Sequence, residues 1–147
     1  MSTLIIYYSK HHENTQKVAE AIADSIGADV LNYEFVDPDN ISKYQLIGFG
    51  SGIYHGEPGK ELIEFINELK NIGDKKAFVF TTSGQGTANY NYYLTQLLHE
   101  KNFEVIGGFN CKGFDTHGLH KIVGGINKGR PNEDDLKEAK LFAESLL

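Results

Sequence analysis

Apolar residues in this chain fall in two alternating arrangements. TLIIYY at 3–8, LIGFG at 46–50 and KAFVFTT at 76–82 are short, nearly unbroken apolar runs, the pattern of strands buried on both faces. FEVIGGF at 103–109 is a weaker run of the same kind, interrupted by Gly107 and Gly108. Between these runs apolar residues recur every three or four positions, which predicts helices. Val18, Ala19, Ile22, Ala23 and Ile26 form one such face, stopped by Gly27. Leu62, Phe65, Ile66 and Leu69 form the next, then Leu94, Leu97 and Leu98, and finally Leu136, Ala139, Ala143 and Leu146. ADVLNYEF at 28–35 differs, because Leu31, Tyr33 and Phe35 alternate with Asn32 and Glu34, as expected of an edge strand.

Strands alternating with helices imply an α/β fold with a five-stranded parallel sheet covered by helices on both faces, a three-layer sandwich. With the first strand buried and the second at an edge, the expected order is 2-1-3-4-5. Only VDPDNISKY, 36–44, joins the second strand to the third. A parallel crossover usually takes about a dozen residues or more, so a single helical turn passing over the first strand is predicted. The stretch Asn110 to Pro131 is long and irregular and holds Gly113, Gly118, Gly124, Gly125 and Gly129, the profile of a functional loop.

Length and composition narrow the classes. At 147 residues, with 40% hydrophobic and 23% charged, the chain is expected to form one folded domain over 1–147. A net charge of -6 argues against nucleic-acid binding, which needs a cationic surface. Cys111 is the only cysteine, so neither an intrachain disulfide nor a thiolate cluster can form, as suits a reducing compartment. MSTLIIYYSK has neither the basic start nor the apolar stretch of a signal peptide, and no run approaches the roughly 18 apolar residues of a membrane span. A cytoplasmic protein without membrane insertion is the expectation.

In a sheet of this order, ligands sit outside the carboxyl ends of the strands, where the winding reverses between strands one and three. The first such turn, SKHHENT, leads into a helix whose first N–H groups and dipole favour an anion. Ser9 and Thr15 could add hydroxyls, Asn14 an amide, and His11 or His12 a ring N–H. Asn14 or Thr15 could equally serve only as the helix cap. GSGIYHGEP at 50–58 follows the third strand, and its glycines around an aromatic residue suggest close approach to a flat ligand. TTSGQGT at 81–87 follows the fourth with further hydroxyls, and CKGFDTHG at 111–118 follows the fifth with a second aromatic, Phe114. A planar ring with a phosphate tail would satisfy all four turns.

These four turns, in this order, resemble those of the short-chain flavodoxins, small FMN-containing electron carriers, and the resemblance runs from Thr3 to Leu147. SKHHENT is similar to the family's phosphate loop, with Ser9, Asn14 and Thr15 on matching positions, one extra residue, and Glu13 where glycine is usual. GSGIYHG occupies the place of the loop against one flavin face, with Tyr54 on the stacking position among Gly52, Ile53, His55 and Gly56. Thr81, Thr82, Ser83 and Gly84 resemble the ribityl loop. Cys111, Gly113, Phe114 and Asp115 resemble the second ring loop, with Phe114 as a wall. The resemblance implies FMN as cofactor, a low-potential carrier role between a reductase and an acceptor protein, and a peptide between Tyr54 and Glu57 that flips as the flavin changes redox state.

Other readings are weaker. The first strand ends in Tyr8 and Ser9 rather than the acidic residues of a receiver domain, and the first loop lacks the cysteine and arginine of a small phosphatase. Neither G-x-G-x-x-G nor a triphosphate-binding loop is present. His11, His12, His55, His117 and His120 lack the helical i, i+4 spacing of a metal pair. Cys111 lacks a partner cysteine, which leaves it a buried or flavin-adjacent thiol. The alternative function is an FMN oxidoreductase acting on a quinone or another small acceptor. Against it, Arg130 is the sole arginine, so a clamp for a nicotinamide phosphate is lacking. A third reading, a binding module without cofactor, follows if Glu13 repels the phosphate.

Overall fold

The computed structural model describes residues 2–10, 13–70, 72–87, 89–113 and 125–147. Its strands are β1 (Thr3–Tyr8), β2 (Asp29–Asn32), β3 (Leu46–Tyr54), β4 (Glu57–Pro58), β5 (Lys76–Ser83) and β6 (Glu104–Lys112). The helices are α1 (Asn14–Ile26), α2 (Lys60–Glu68), α3 (Asn89–Glu100) and α4 (Glu133–Ser145). The main sheet is parallel in the order β2-β1-β3-β5-β6, and β4 folds back antiparallel on the end of β3. Leaving aside that short sixth strand, this is the predicted flavodoxin-like order.

Side chains alternating along each strand feed two cores. Leu4, Ile6, Ile47, Phe49 and Val79 face Leu62, Ile66, Leu94 and Leu98 of α2 and α3. Ile5, Tyr7, Phe78 and Phe80 face Val18, Ile22, Ala139 and Ala143 of α1 and α4. This division explains the GFG pattern in β3. A Cβ on Gly48 would lie 2.3 Å from the Phe78 ring, and one on Gly50 would lie 2.1 Å from Phe80. Both glycines therefore make room for the chain's own rings.

Several boundaries differ from the sequence reading. The second strand stops at Asn32, whose side chain accepts a hydrogen bond from the Glu34 N–H at 3.1 Å and starts a 3-10 turn over Tyr33–Phe35. Tyr33 then turns its ring onto Tyr8, with centroids 5.5 Å apart, while Phe35 is left exposed. The crossover to β3 contains that turn and a second 3-10 segment, Pro38–Lys43, where a single turn was expected. β6 accommodates the GG break with a register shift: Ala77 pairs with Val105, but Phe78 pairs with Gly107. The strand then runs on through Cys111 and Lys112, so the irregular segment starts later than the sequence suggested.

The entry to α4 is fixed by the chain's one arginine. Asn132 and Asp135 form a reciprocal capping box, and the Arg130 guanidinium makes a two-pronged contact with the Asp135 carboxylate, its Nη2 at 2.6 Å. Burial by itself would raise the Asp135 pKa, but the hydrogen bonds from Arg130 and the Asn132 N–H outweigh it and hold the carboxyl below its usual range.

Candidate functional site

The parallel register brings the strand ends to one edge: Tyr8 pairs with Ser51, Ser51 with Thr81, and Thr82 with Cys111. The turns leaving β1, β3, β5 and β6 therefore lie side by side, and specific contacts join them. Thr15 at the start of α1 and Thr82 near the end of β5 are both buried, and their hydroxyls lie 2.8 Å apart. The Asn14 side chain fills the space beside Gly113, where a Cβ would lie 2.5 Å from its Nδ2. Lys10 donates its backbone N–H to the Tyr54 hydroxyl at 3.1 Å, tying the first turn to the third strand.

In the turn after β1 the helix cap is neither Asn14 nor Thr15. Glu13 takes that place in the left-handed region, φ 54°, and its side chain makes no capping hydrogen bond. The first N–H groups of α1 thus receive no cap from the Glu13 side chain, and Glu13 is an exposed residue. The Ser9 Oγ is buried and has no hydrogen-bond partner among the described residues. His11 and His12 lie outside the described residues.

β3 and β4 form a tight hairpin in which Ile53 pairs with Pro58 and Tyr54 with Glu57. Its two turn residues, His55 and Gly56, both have positive φ, 54° and 83°, which defines the mirror-image turn that suits a hairpin's twist. Ser51, fully buried, anchors the base: its hydroxyl accepts from the Gly59 N–H at 2.7 Å and donates to the Gly52 carbonyl at 2.6 Å. Tyr54 packs edge-on against Tyr8 at 5.8 Å. Burial pushes the Tyr54 pKa up to about 12 despite the Lys10 N–H on its oxygen. Burial and a hydrogen bond to Glu61 raise that of Tyr8 further.

At the end of β5 the hydroxyls are divided. Thr81 donates to Asn91 Oδ1 at 2.8 Å, and Asn91 in turn donates to the Phe109 carbonyl at 3.1 Å, so Thr81 acts as a strut between β5, α3 and β6. Ser83 Oγ accepts from the Gly86 N–H at 2.6 Å, and its carbonyl accepts from the Gly113 N–H at 2.9 Å. Asn127 donates to the Gly84 carbonyl at 2.8 Å, so the turn after β5 is held from the far side of the irregular segment.

Cys111 does not sit in the last turn. It is a strand residue with its thiol in the core between the sheet and α1 and α4, and burial pushes its pKa up to about 12. Gly113, two residues on, reaches the edge. Phe114 and Asp115 lie outside the described residues. Sequence reasoning missed Lys10, whose backbone alone participates, and also Ser51, Asn91 and Asn127. Asn91 was open to detection, since it shares a helical face with Leu94 and Leu98 and a polar group there must find partners inside.

The match to known proteins agrees with this architecture. Residues 4–112 match the family described as "Flavodoxin domain". The chain belongs to that family. It is 47% identical over 149 residues to an uncharacterized protein of Methanocaldococcus jannaschii, covering 100% of this chain and 99% of that protein. Among solved structures, a flavodoxin from the domain Archaea superposes with a TM-score of 0.78 at 18% identity, covering 99% of this chain and 96% of that one. Oxidised flavodoxin 2 from Bacillus cereus superposes with a TM-score of 0.76 at 22% identity, covering 99% and 97%. At these identities the superpositions establish the fold. Membership of the family makes this a flavodoxin-type flavoprotein. Among the described residues no helix is long and apolar enough to cross a membrane.

Proposed function

We propose that this chain binds FMN at the carboxyl edge of its sheet and carries electrons between redox proteins in the cytoplasm. The observation that carries the reading is the turn after β1: a buried Ser9 hydroxyl without a partner among the described residues lies in the turn that leads into a helix start which the Glu13 side chain does not cap. Polar groups of this kind are costly to bury unless a ligand completes them, and a phosphate supplies the acceptors they lack. Glu13 is exposed and makes no capping hydrogen bond, so its carboxylate is free to stay in solvent, where water and salt screen its repulsion of that phosphate.

Ser9, the first N–H groups of α1, Asn14 and Thr15, with His11 or His12, would hold the phosphate. Thr82, Ser83 and Gly84 would line the ribityl chain, and Tyr54 with Phe114 would flank the ring. FMN, when bound, supplies one- and two-electron chemistry, while the protein contributes position, dielectric and charge. A carrier is favoured over an enzyme fed by a nicotinamide nucleotide because Arg130, the sole arginine, is already engaged with Asp135 at the foot of α4.

The visible spectrum of the purified protein, before and after incubation with FMN, tests the reading. Flavin absorption that stays with the protein through gel filtration is expected. A colourless protein that FMN does not reconstitute overturns it.

A further inference from the structure

The Lys10 N–H belongs to the turn that the preceding reading assigns to a phosphate, yet its acceptor is the hydroxyl of Tyr54, a residue assigned to the ring. The ring reaches that position because residue 52 is glycine: a Cβ there would lie 2.5 Å from the Tyr54 hydroxyl oxygen and 2.9 Å from the ring carbon that bears it. The Tyr54 ring also makes a perpendicular contact with Tyr8, and Tyr8 itself fits only because residue 59 is glycine, where a Cβ would lie 2.3 Å from its ring. The tyrosine is thus seated in a built slot between β3 and the first turn.

We propose that the Tyr54 hydroxyl is a built-in competitor for the anion bound by the turn after β1, standing where a phosphate oxygen would stand on the Lys10 N–H. A single N–H makes one well-aligned hydrogen bond, so anion and hydroxyl exclude each other at this donor. With its pKa pushed up to about 12, Tyr54 is neutral at working pH, and a neutral oxygen is the weaker acceptor. A phosphate dianion displaces it; a neutral ligand does not. The device lowers the affinity of the turn for any anion and makes release of the Tyr54 ring depend on arrival of a charged one. It rests on the reading of that turn as a phosphate site, and it makes Tyr54 a specificity-determining residue in addition to a ring wall.

The competition itself is tested without flavin, and FMN uptake is scored separately. Inorganic phosphate is titrated into the whole protein at constant ionic strength, with chloride as the balancing anion, and the Lys10 amide and Tyr54 ring resonances are followed by NMR. In the wild type both are expected to move along one binding curve. Tyr54→Phe removes the competing oxygen, and Gly52→Ala pushes it away while keeping the hydroxyl. Each is expected to bind phosphate about three- to tenfold more tightly, the worth of one neutral hydrogen bond. Should Gly52→Ala not fold, Tyr54→Phe decides alone. Unchanged phosphate affinity in the folded variants overturns the proposal, as does a Lys10 shift that leaves Tyr54 still, or no phosphate binding by any form. A protein that takes up FMN while its variants bind phosphate like the wild type overturns the competitor alone. Tighter phosphate binding by the variants in a protein that refuses FMN upholds the competitor and overturns the FMN reading.

Discussion

At the scale of single residues, the hydroxyl and thiol groups at the edge of this sheet divide into those with internal partners and those without. Thr15 and Thr82 satisfy each other across two turns. Thr15→Ala would leave the Thr82 hydroxyl buried and unpaired, a loss of about 1–3 kcal/mol. A lower urea midpoint with an unchanged slope is the expected result, and Thr15→Ser should recover most of the difference. An alanine variant as stable as the wild type would mean that this pair contributes nothing to the fold. Cys111 is the opposite case, a group of reactive type made inert by its surroundings. With Cys111 only 6% exposed and its thiol pKa pushed up to about 12, almost no thiolate forms near neutrality. Iodoacetamide at pH 8 should leave the native protein unmodified and label it stoichiometrically in denaturant; rapid labelling of the native form would show that the thiol is accessible.

At the scale of elements, what the sequence revealed depended on whether a boundary is set by hydrophobicity or by a local polar contact. β1 was read to the residue because its central run, Leu4 to Tyr7, is apolar and buried. The second strand was read too long because alternation continues through Tyr33 and Phe35, whereas the chain is turned by the Asn32 side chain, a contact that periodicity does not register. The β3–β4 hairpin escaped notice since its turn begins with His55, where asparagine, aspartate or glycine is the usual signal. Of the site, the four turns and their hydroxyls were legible. The division of labour among them was not, because Thr81, Thr82 and Ser83 are alike in sequence and differ only in what lies opposite. The start of α4 was also opaque, as its cap depends on Arg130 meeting Asp135. That cap has a pH signature. Asp135 is held below its usual range, so its contribution is complete at neutral pH and is lost as pH falls through the folded-state value. Asp135→Asn should therefore be less stable than the wild type at neutral pH, with the gap closing in acid. A gap that persists unchanged at low pH would assign the effect to packing instead of charge.

At the scale of the whole molecule, the chain carries a net charge of -6, and the sole arginine is bound to Asp135. A nicotinamide dinucleotide brings its own phosphates, and nothing among the residues assigned to the edge offers them a guanidinium. A protein partner with a basic docking face would instead be drawn in by the net field before contact. The carrier reading therefore makes a joint prediction. With FMN bound, reduction by a reductase protein should be much faster than reduction by NADPH alone. Its second-order rate should also fall several-fold as added salt shortens the Debye length from about 10 Å at 0.1 M to about 3 Å at 1 M. Stopped-flow absorbance at the flavin bands measures both. Fast, saturable oxidation of NADPH by the protein itself would favour the oxidoreductase. A protein-to-protein rate indifferent to salt would mean that encounter is governed by a local apolar contact, with the net charge playing no part in choosing the partner.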